Sequence, residues 1–432
     1  GELETMRSYY YYLLFDCFGR IPYLEKFTEA DNQPLSESYE VWSKLVMCLE
    51  KNAPNMAVVK TDADRKANYG RVTQGFAYAL LARLYLNAES FGCTPENITI
   101  DDAFYTANPS VTRVAGFNDF YTNAVRCCDN VIGTGYGIES NFFNNFKINN
   151  ENSKENIFVI VENGLTDDER DNGSTKNKLR IIHNTHHYGI QFYYGMILDT
   201  WNGFCARPDF LKLYADTDVR GPGNELKGTS NTKQWGWFLG PVHKKGSSTD
   251  LYVDTNNDEQ TIIHAEITNI NNGHNFDGAR LNKWEIDQTG TYTYCENDFP
   301  LFRYADVLWM KEEAIARGAA GTSGIDTPDF QTMLKRNFAY DKDPEAAFKA
   351  AYGDVASWDL DKILDERGRE FTWEMIRRRD LIRYDKFDDV QYVSGKEDYR
   401  KWFPIPYSVL EKSLTDENGN KVWTQSPGYE NL

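Results

Sequence analysis

The chain has 432 residues, 41% of them hydrophobic and 14% aromatic, so it can bury a large core. Its formal net charge of −18 repels phosphate backbones and argues against a nucleic-acid partner. No apolar run approaches the roughly 18 residues of a membrane-spanning helix, and no basic amphipathic stretch suggests a membrane-surface helix. Leu3, Met6, Tyr10, Leu13, Leu14 and Cys17 recur at helical spacing and predict a helix over 3–18, ended by Gly19 and Pro22. A second helix is predicted over 38–51 from Tyr39, Trp42, Leu45, Val46 and Leu49. The third, over 73–90, carries a seam of Ala77, Leu81, Leu84 and Ala88 that allows close helix approach. The fourth, over 117–132, runs through Phe120, Ala124, Cys127, Cys128 and Val131.

Paired amphipathic helices with alanine contacts suggest tetratricopeptide-like hairpins, although the strict repeat of about 34 residues is not visible. From 133 to 299, Gly, Asn, Asp and Thr crowd together and favour turns, with β-like runs at 156–162 and 260–267. Helices are expected again at 301–317, entered through Pro300, and at 328–350 and 359–383. The expected fold is mostly α: one unit with helical hairpins over 1–132 and 300–383, a loop-rich region over 133–299 and a C-terminal loop segment over 384–432. Seven cysteines, irregularly spaced and without a Cys-x-x-Cys pair, support neither a disulfide framework nor a zinc site.

Loop-borne aromatic rings are the first candidates for chemistry. A pyranose has an apolar C–H face and a hydroxyl rim, which flat rings and amide or charged side chains complement. Trp201, Trp235, Trp237, Trp284, Tyr193, Tyr194 and Tyr292 lie in the irregular middle, with Asn202, Asp167 and Arg170 as polar partners. Trp235 and Trp237 would face the same way on an extended segment. Against this stands the ordinary tendency of tryptophan to be largely buried. Trp309, Trp373 and Trp402 are read as structural. Glu366, Glu370 and Glu374 share a helical face and invite a glycoside hydrolase reading. Arginines 367, 369, 377, 378 and 379 surround them, so structural ion pairs are the preferred role. His183, His186 and His187 show no metal-ligand pattern. Asp254, Asn256 and Asp258 begin like a calcium loop, which fails at Glu259 and Ala265; a looser calcium site is the alternative. No G-x-S-x-G, phosphate-binding loop or dinucleotide fingerprint is present, and no cofactor is expected.

Five ordered blocks carry a resemblance. Residues 6–24 read MRSYYYYLLFDCFGRIPYL and 70–88 read GRVTQGFAYALLARLYLNA. PLFRYADVLWMKEEA follows at 300–314, then DERGREFTWEMIRRRDLIR at 365–383. FPIP (403–406) and QSPGY (425–429) close the series. Together they resemble the SusD/RagB family of outer-membrane nutrient-binding lipoproteins of Bacteroidetes. The resemblance implies a superhelix of tetratricopeptide-like hairpins and a non-catalytic role. It implies capture of an oligosaccharide or polysaccharide at the cell surface and delivery to a SusC-like TonB-dependent transporter. It also implies a lipid anchor on the extracellular face of the outer membrane, carried by an N-terminal family segment that precedes the first block. Two other readings are weighed: a tetratricopeptide-type scaffold for peptides or proteins, and a glycoside hydrolase. The Asn- and aromatic-rich loops speak against the first, and the arginine-saturated carboxylates against the second.

Overall fold

A computed structural model describes residues 1–26, 33–162, 185–186, 200–222, 224–225, 234–244, 247, 249–254, 259–260, 262–269, 273–285, 297–387 and 397–430. Of 224–225, 234–235, 254 and 259, it describes the backbone alone. The architecture is mostly helical, with a few short strands, as the sequence leads one to expect. The longer helices are α1 (Glu2–Phe18), α2 (Ser38–Asn52), α3 (Gln74–Leu86), α4 (Phe117–Asp129), α5 (Tyr304–Ala316), α6 (Pro328–Arg336), α7 (Pro344–Tyr352), α8 (Leu360–Glu370) and α9 (Arg377–Arg383). The strands used below are β1 (Asn156–Ile160), β2 (Asn224–Glu225), β3 (Gln234–Phe238), β4 (Arg280–Asn282) and β5 (Phe299–Arg303). Residues 1–136, 306–324 and 375–432 form one compact unit, and 137–305 with 325–374 form another.

In the first unit, α3 is buried almost all round, because its apolar residues are not confined to one stripe. Thr73 caps it by accepting from the Phe76 amide at 3.3 Å. Gly75 is required there, since a Cβ would lie 2.7 Å from the Tyr136 ring. Trp42 of α2 packs fully buried and donates its indole N–H to the Leu84 carbonyl at 2.8 Å. Ion pairs tie the helices: Arg83 to Asp306 at 2.7 Å, Lys311 to Asp129 at 2.7 Å, and Arg383 to Glu313 at 2.7 Å.

Three expected boundaries differ. Residues 299–303 form a strand rather than the start of a helix, with Pro300 opposite Val159 of β1. Among the described residues this strand pairs on one side only, and its register shifts beside Pro300, a setting in which proline is tolerated. The 328–350 helix is divided into α6 and α7; α7 starts at Pro344 and is capped by Asp343, whose carboxylate accepts from the Ala346 amide at 3.1 Å. The 359–383 helix is likewise divided, and the turn between α8 and α9 places Trp373 (φ 58°) and Met375 (φ 63°) in left-handed conformations.

The second unit encloses an extended charge cluster. Arg220, Lys283, Arg303, Arg336 and Arg369 face Glu155, Asp218, Glu366, Glu370 and Glu374, and all ten are buried. Five cations meet five carboxylates, so the cluster is neutral as a whole. Arg303 grips Glu374 through two bonds of 2.7 and 2.8 Å, and also reaches Glu370 (3.0 Å) and Glu155. Arg336 joins Glu155 and Glu370 at 2.6 Å each. Arg220 binds Glu370 at 3.0 Å, Glu366 at 2.8 Å and Asp218 at 2.7 Å. Burial alone would raise the Glu370 carboxyl, but the guanidiniums of Arg336, Arg303 and Arg220 hold it well below the usual carboxylate range. Glu366, Glu370 and Glu374 are thus sealed and paired, which removes them as a general acid and base for glycoside cleavage.

Candidate functional site

In the second unit, β4 pairs antiparallel with β3, setting Leu281 opposite Trp237 and Asn282 opposite Gly236, and β3 pairs with β2. Gly236 has φ 83°, and a Cβ there would lie 2.4 Å from the Arg220 carbonyl oxygen. The segment 200–207 runs irregularly beside this sheet. The Ala206 amide donates to the Ala279 carbonyl at 2.9 Å. The Thr185 hydroxyl donates to the Phe204 carbonyl at 3.1 Å and accepts from the Leu281 amide at 3.1 Å. Gly278 (φ 76°) lets Cys205 approach, since a Cβ would lie 2.5 Å from its Sγ.

Asn202 is the pivot of this segment, with φ 53° in the left-handed region that asparagine tolerates. Its amide N–H donates to the His186 carbonyl at 2.9 Å. Its side-chain oxygen accepts from buried Arg280 at 2.7 Å, and its side-chain nitrogen donates to the Asn275 carbonyl at 2.9 Å. Arg280 is itself fixed by the carbonyls of Asp277 (2.6 Å) and Gly278 (2.7 Å). On either side of this anchored turn, Trp201 is 58% exposed and Phe204 55% exposed. Behind Phe204 the rings continue inward edge to face: Phe204 to Trp373 at 6.1 Å, Trp373 to Trp237 at 6.0 Å, and Trp237 to Phe210 at 6.4 Å. Two large rings held exposed by a hydrogen-bonded loop are suited to a flat, partly apolar ligand.

The nominated residues divide accordingly. Trp201 is exposed as a platform must be. Asn202 sits beside it with both ends of its amide engaged within the protein. Trp237 is corrected: it is 1% exposed and belongs to the unit's core, because its strand is covered on that face and Gly236 interrupts the extended path. Trp237→Ala is therefore expected to cost about 3–5 kcal/mol of stability through the cavity it leaves. Chemical denaturation checks this, and a change under about 1 kcal/mol would return Trp237 to the surface. Trp284 is corrected likewise: it is buried, stacked on Phe299 at 5.9 Å and edge-on to Phe146 at 5.3 Å. Trp235 lies on β3, where the backbone alone is described. Tyr193, Tyr194, Tyr292, Asp167 and Arg170 lie outside the described residues, as do Asn256 and Asp258. Asp254 pairs with Glu259 in a short hairpin, and among the described residues no three His, Cys, Asp or Glu converge as metal ligands.

Phe204, Trp373 and Arg280 were not among the nominated residues. The signal for Phe204 was the Asn-Gly dipeptide of Trp-Asn-Gly-Phe, which marks a turn flanked by two rings. A cleft of about 690 Å3 lies in the first unit among Phe18, Tyr39, Phe91 and Trp402, far in sequence from every nominated residue. Its rings are engaged in packing: Phe91 contacts Phe15 at 4.5 Å, and Trp402 covers Gly19. The exposed loop rings of the second unit are the stronger candidate.

The chain belongs to the SusD family, whose model matches residues 154–429. It is 22% identical over 462 aligned positions to the starch-binding protein SusD of Bacteroides thetaiotaomicron, covering 99% of this chain and 72% of that one. Among solved structures it is similar to surface glycan-binding protein A from B. thetaiotaomicron in complex with laminarihexaose, with a TM-score of 0.63 at 18% identity, covering 98% and 77% of the two chains. The corresponding protein from Bacteroides fluxus gives 0.61 at 19% identity, covering 99% and 77%. At these identities the likeness to the solved structures is one of fold.

Proposed function

We propose that the protein binds a glycan at the cell surface without altering it, and delivers it to a SusC-like TonB-dependent transporter at the outer membrane, to which a lipid anchor tethers it. The observation that carries the binding reading is the pair of exposed rings, Trp201 and Phe204, on a loop fixed by Asn202 and Arg280. Membership of the SusD family and the names of the relatives, starch-binding and glycan-binding, support the same ligand class. The rings cover the C–H faces of successive sugar units, while Asn202 positions them. Most of the contact is apolar stacking, which gives moderate affinity and permits release to the transporter. Catalysis is disfavoured because Glu366, Glu370 and Glu374, the carboxylates that invited it, are locked to arginines.

Affinity electrophoresis through gels containing starch, laminarin, xylan or mannan, with product analysis of each incubation, tests this reading. Retardation by at least one polysaccharide without cleavage is expected. Cleavage products would replace it with a hydrolase, and uniform mobility across the panel would favour a peptide-binding scaffold.

A further inference from the structure

Trp373 has a backbone conformation that bulky side chains rarely adopt. Its φ of 58° brings Cβ close to the preceding carbonyl, and glycine would adopt it without strain. Strain of this kind persists only where the surroundings over-determine the chain, and it concentrates at functional positions. Both neighbours of Trp373 are over-determined. The Thr372 hydroxyl lies 2.7 Å from that of Tyr214 and donates to the Gly368 carbonyl at 2.8 Å. The Thr372 carbonyl accepts from the Lys283 ammonium at 3.0 Å. The Glu374 carboxylate takes both forks of Arg303 and also pairs with Lys283. Arg303 is fixed in turn by Glu155 and Glu370, and those two by Arg336. With residues 372 and 374 clamped, the ring of Trp373 stands between buried Trp237 and exposed Phe204.

A small residue would serve the turn better than tryptophan does. The ring is therefore what the strain sustains. We propose that the buried charge cluster is the positioning device of the exposed aromatic surface: Lys283, Arg303 and Glu374 clamp the turn, hold Trp373 left-handed, and seat its ring as the inner wall against which Phe204 is oriented. This rests on reading Trp201 and Phe204 as the glycan surface, so the test reads ring position with no glycan present.

The full chain is labelled with fluorotryptophan and followed by fluorine NMR, with Trp373→Phe identifying the Trp373 resonance. In Lys283→Met and Glu374→Gln, the Trp373 signal is expected to shift by more than its line width, while those of Trp42 and Trp309 in the first unit stay in place. Lys283→Met removes the charge with little change of shape, so it keeps the test decisive should Glu374→Gln not fold. A second readout uses the strain itself. Trp373→Gly accepts the left-handed conformation freely, so the loss of melting temperature caused by Lys283→Met is expected to be at least halved in the Trp373→Gly background. An unmoved Trp373 resonance in a folded clamp variant overturns the proposal, as does full additivity of Lys283→Met and Trp373→Gly.

Discussion

Glu370→Ala is expected to destabilise the protein by about 3–5 kcal/mol, a large share of the roughly 5–15 kcal/mol that holds a typical domain together. Glu370 is fully buried and takes bonds from Arg303 (3.0 Å), Arg336 (2.6 Å) and Arg220 (3.0 Å). Removing it leaves five buried cations against four carboxylates, an uncompensated charge in a dry interior. The magnitude exceeds that of a surface pair, whose loss is worth about 0–1 kcal/mol. Acid acts through the same site. The folded-state pKa of Glu370 is depressed, so its contribution is complete above the ordinary carboxyl range and declines as pH falls below about 4.5. The stability difference between wild type and Glu370→Ala should therefore narrow on acidification. Urea denaturation at neutral and acidic pH measures both effects. A neutral-pH difference under about 1 kcal/mol would show that the cluster is not the keystone of the second unit.

The double variant Trp201→Ala/Phe204→Ala is expected to lose glycan retention and to keep its fold. Truncating a central aromatic contact typically costs about 2 kcal/mol, roughly thirty-fold in affinity, and two such rings should abolish retardation at ordinary gel concentrations. Both side chains are more than half exposed, so melting should move little. Affinity electrophoresis and a thermal melt on the same preparation separate the two quantities. Undiminished retention with an intact fold would place the ligand elsewhere.

Helical periodicity located α1 through α4 within a few residues, with a core-facing stripe in α2 and α4 and a continuous apolar surface with a threonine cap in α3; in α1 the expected stripe is the outer face, with Leu3, Tyr10, Leu13 and Leu14 exposed, and the core face is Thr5, Ser8, Tyr9, Tyr12 and Phe15. The division between α6 and α7 was legible in Asp343-Pro344, a cap followed by a residue that begins helices. The division between α8 and α9 was not. Phe-Thr-Trp-Glu-Met-Ile contains no glycine or proline, and the chain turns there because the cluster draws Glu374 inward. Trp201 could be singled out by its place beside Asn-Gly, a purely local signal. Trp237 and Trp284 could not be judged locally, since their burial depends on partners such as Phe210, Phe146 and Phe299 far away in the chain. Trp373 reads as scaffold in the sequence because it lies on one of the helical blocks that carry the family resemblance, whereas the turn after α8 sets it beside Phe204.

The loop bearing Trp201 and Phe204 is tied down by the amides of Asn202 and Ala206, the carbonyl of Phe204 and the side chain of Asn202. Such ties are indifferent to what projects at 201 and 204. Those two positions can therefore be exchanged for other rings, or for none, while the framework beneath stays the same. If these two rings are the glycan surface proposed above, diversification toward new polysaccharides would need only a change of tool on a fixed handle, and a library randomised at these two sites should yield folded proteins throughout.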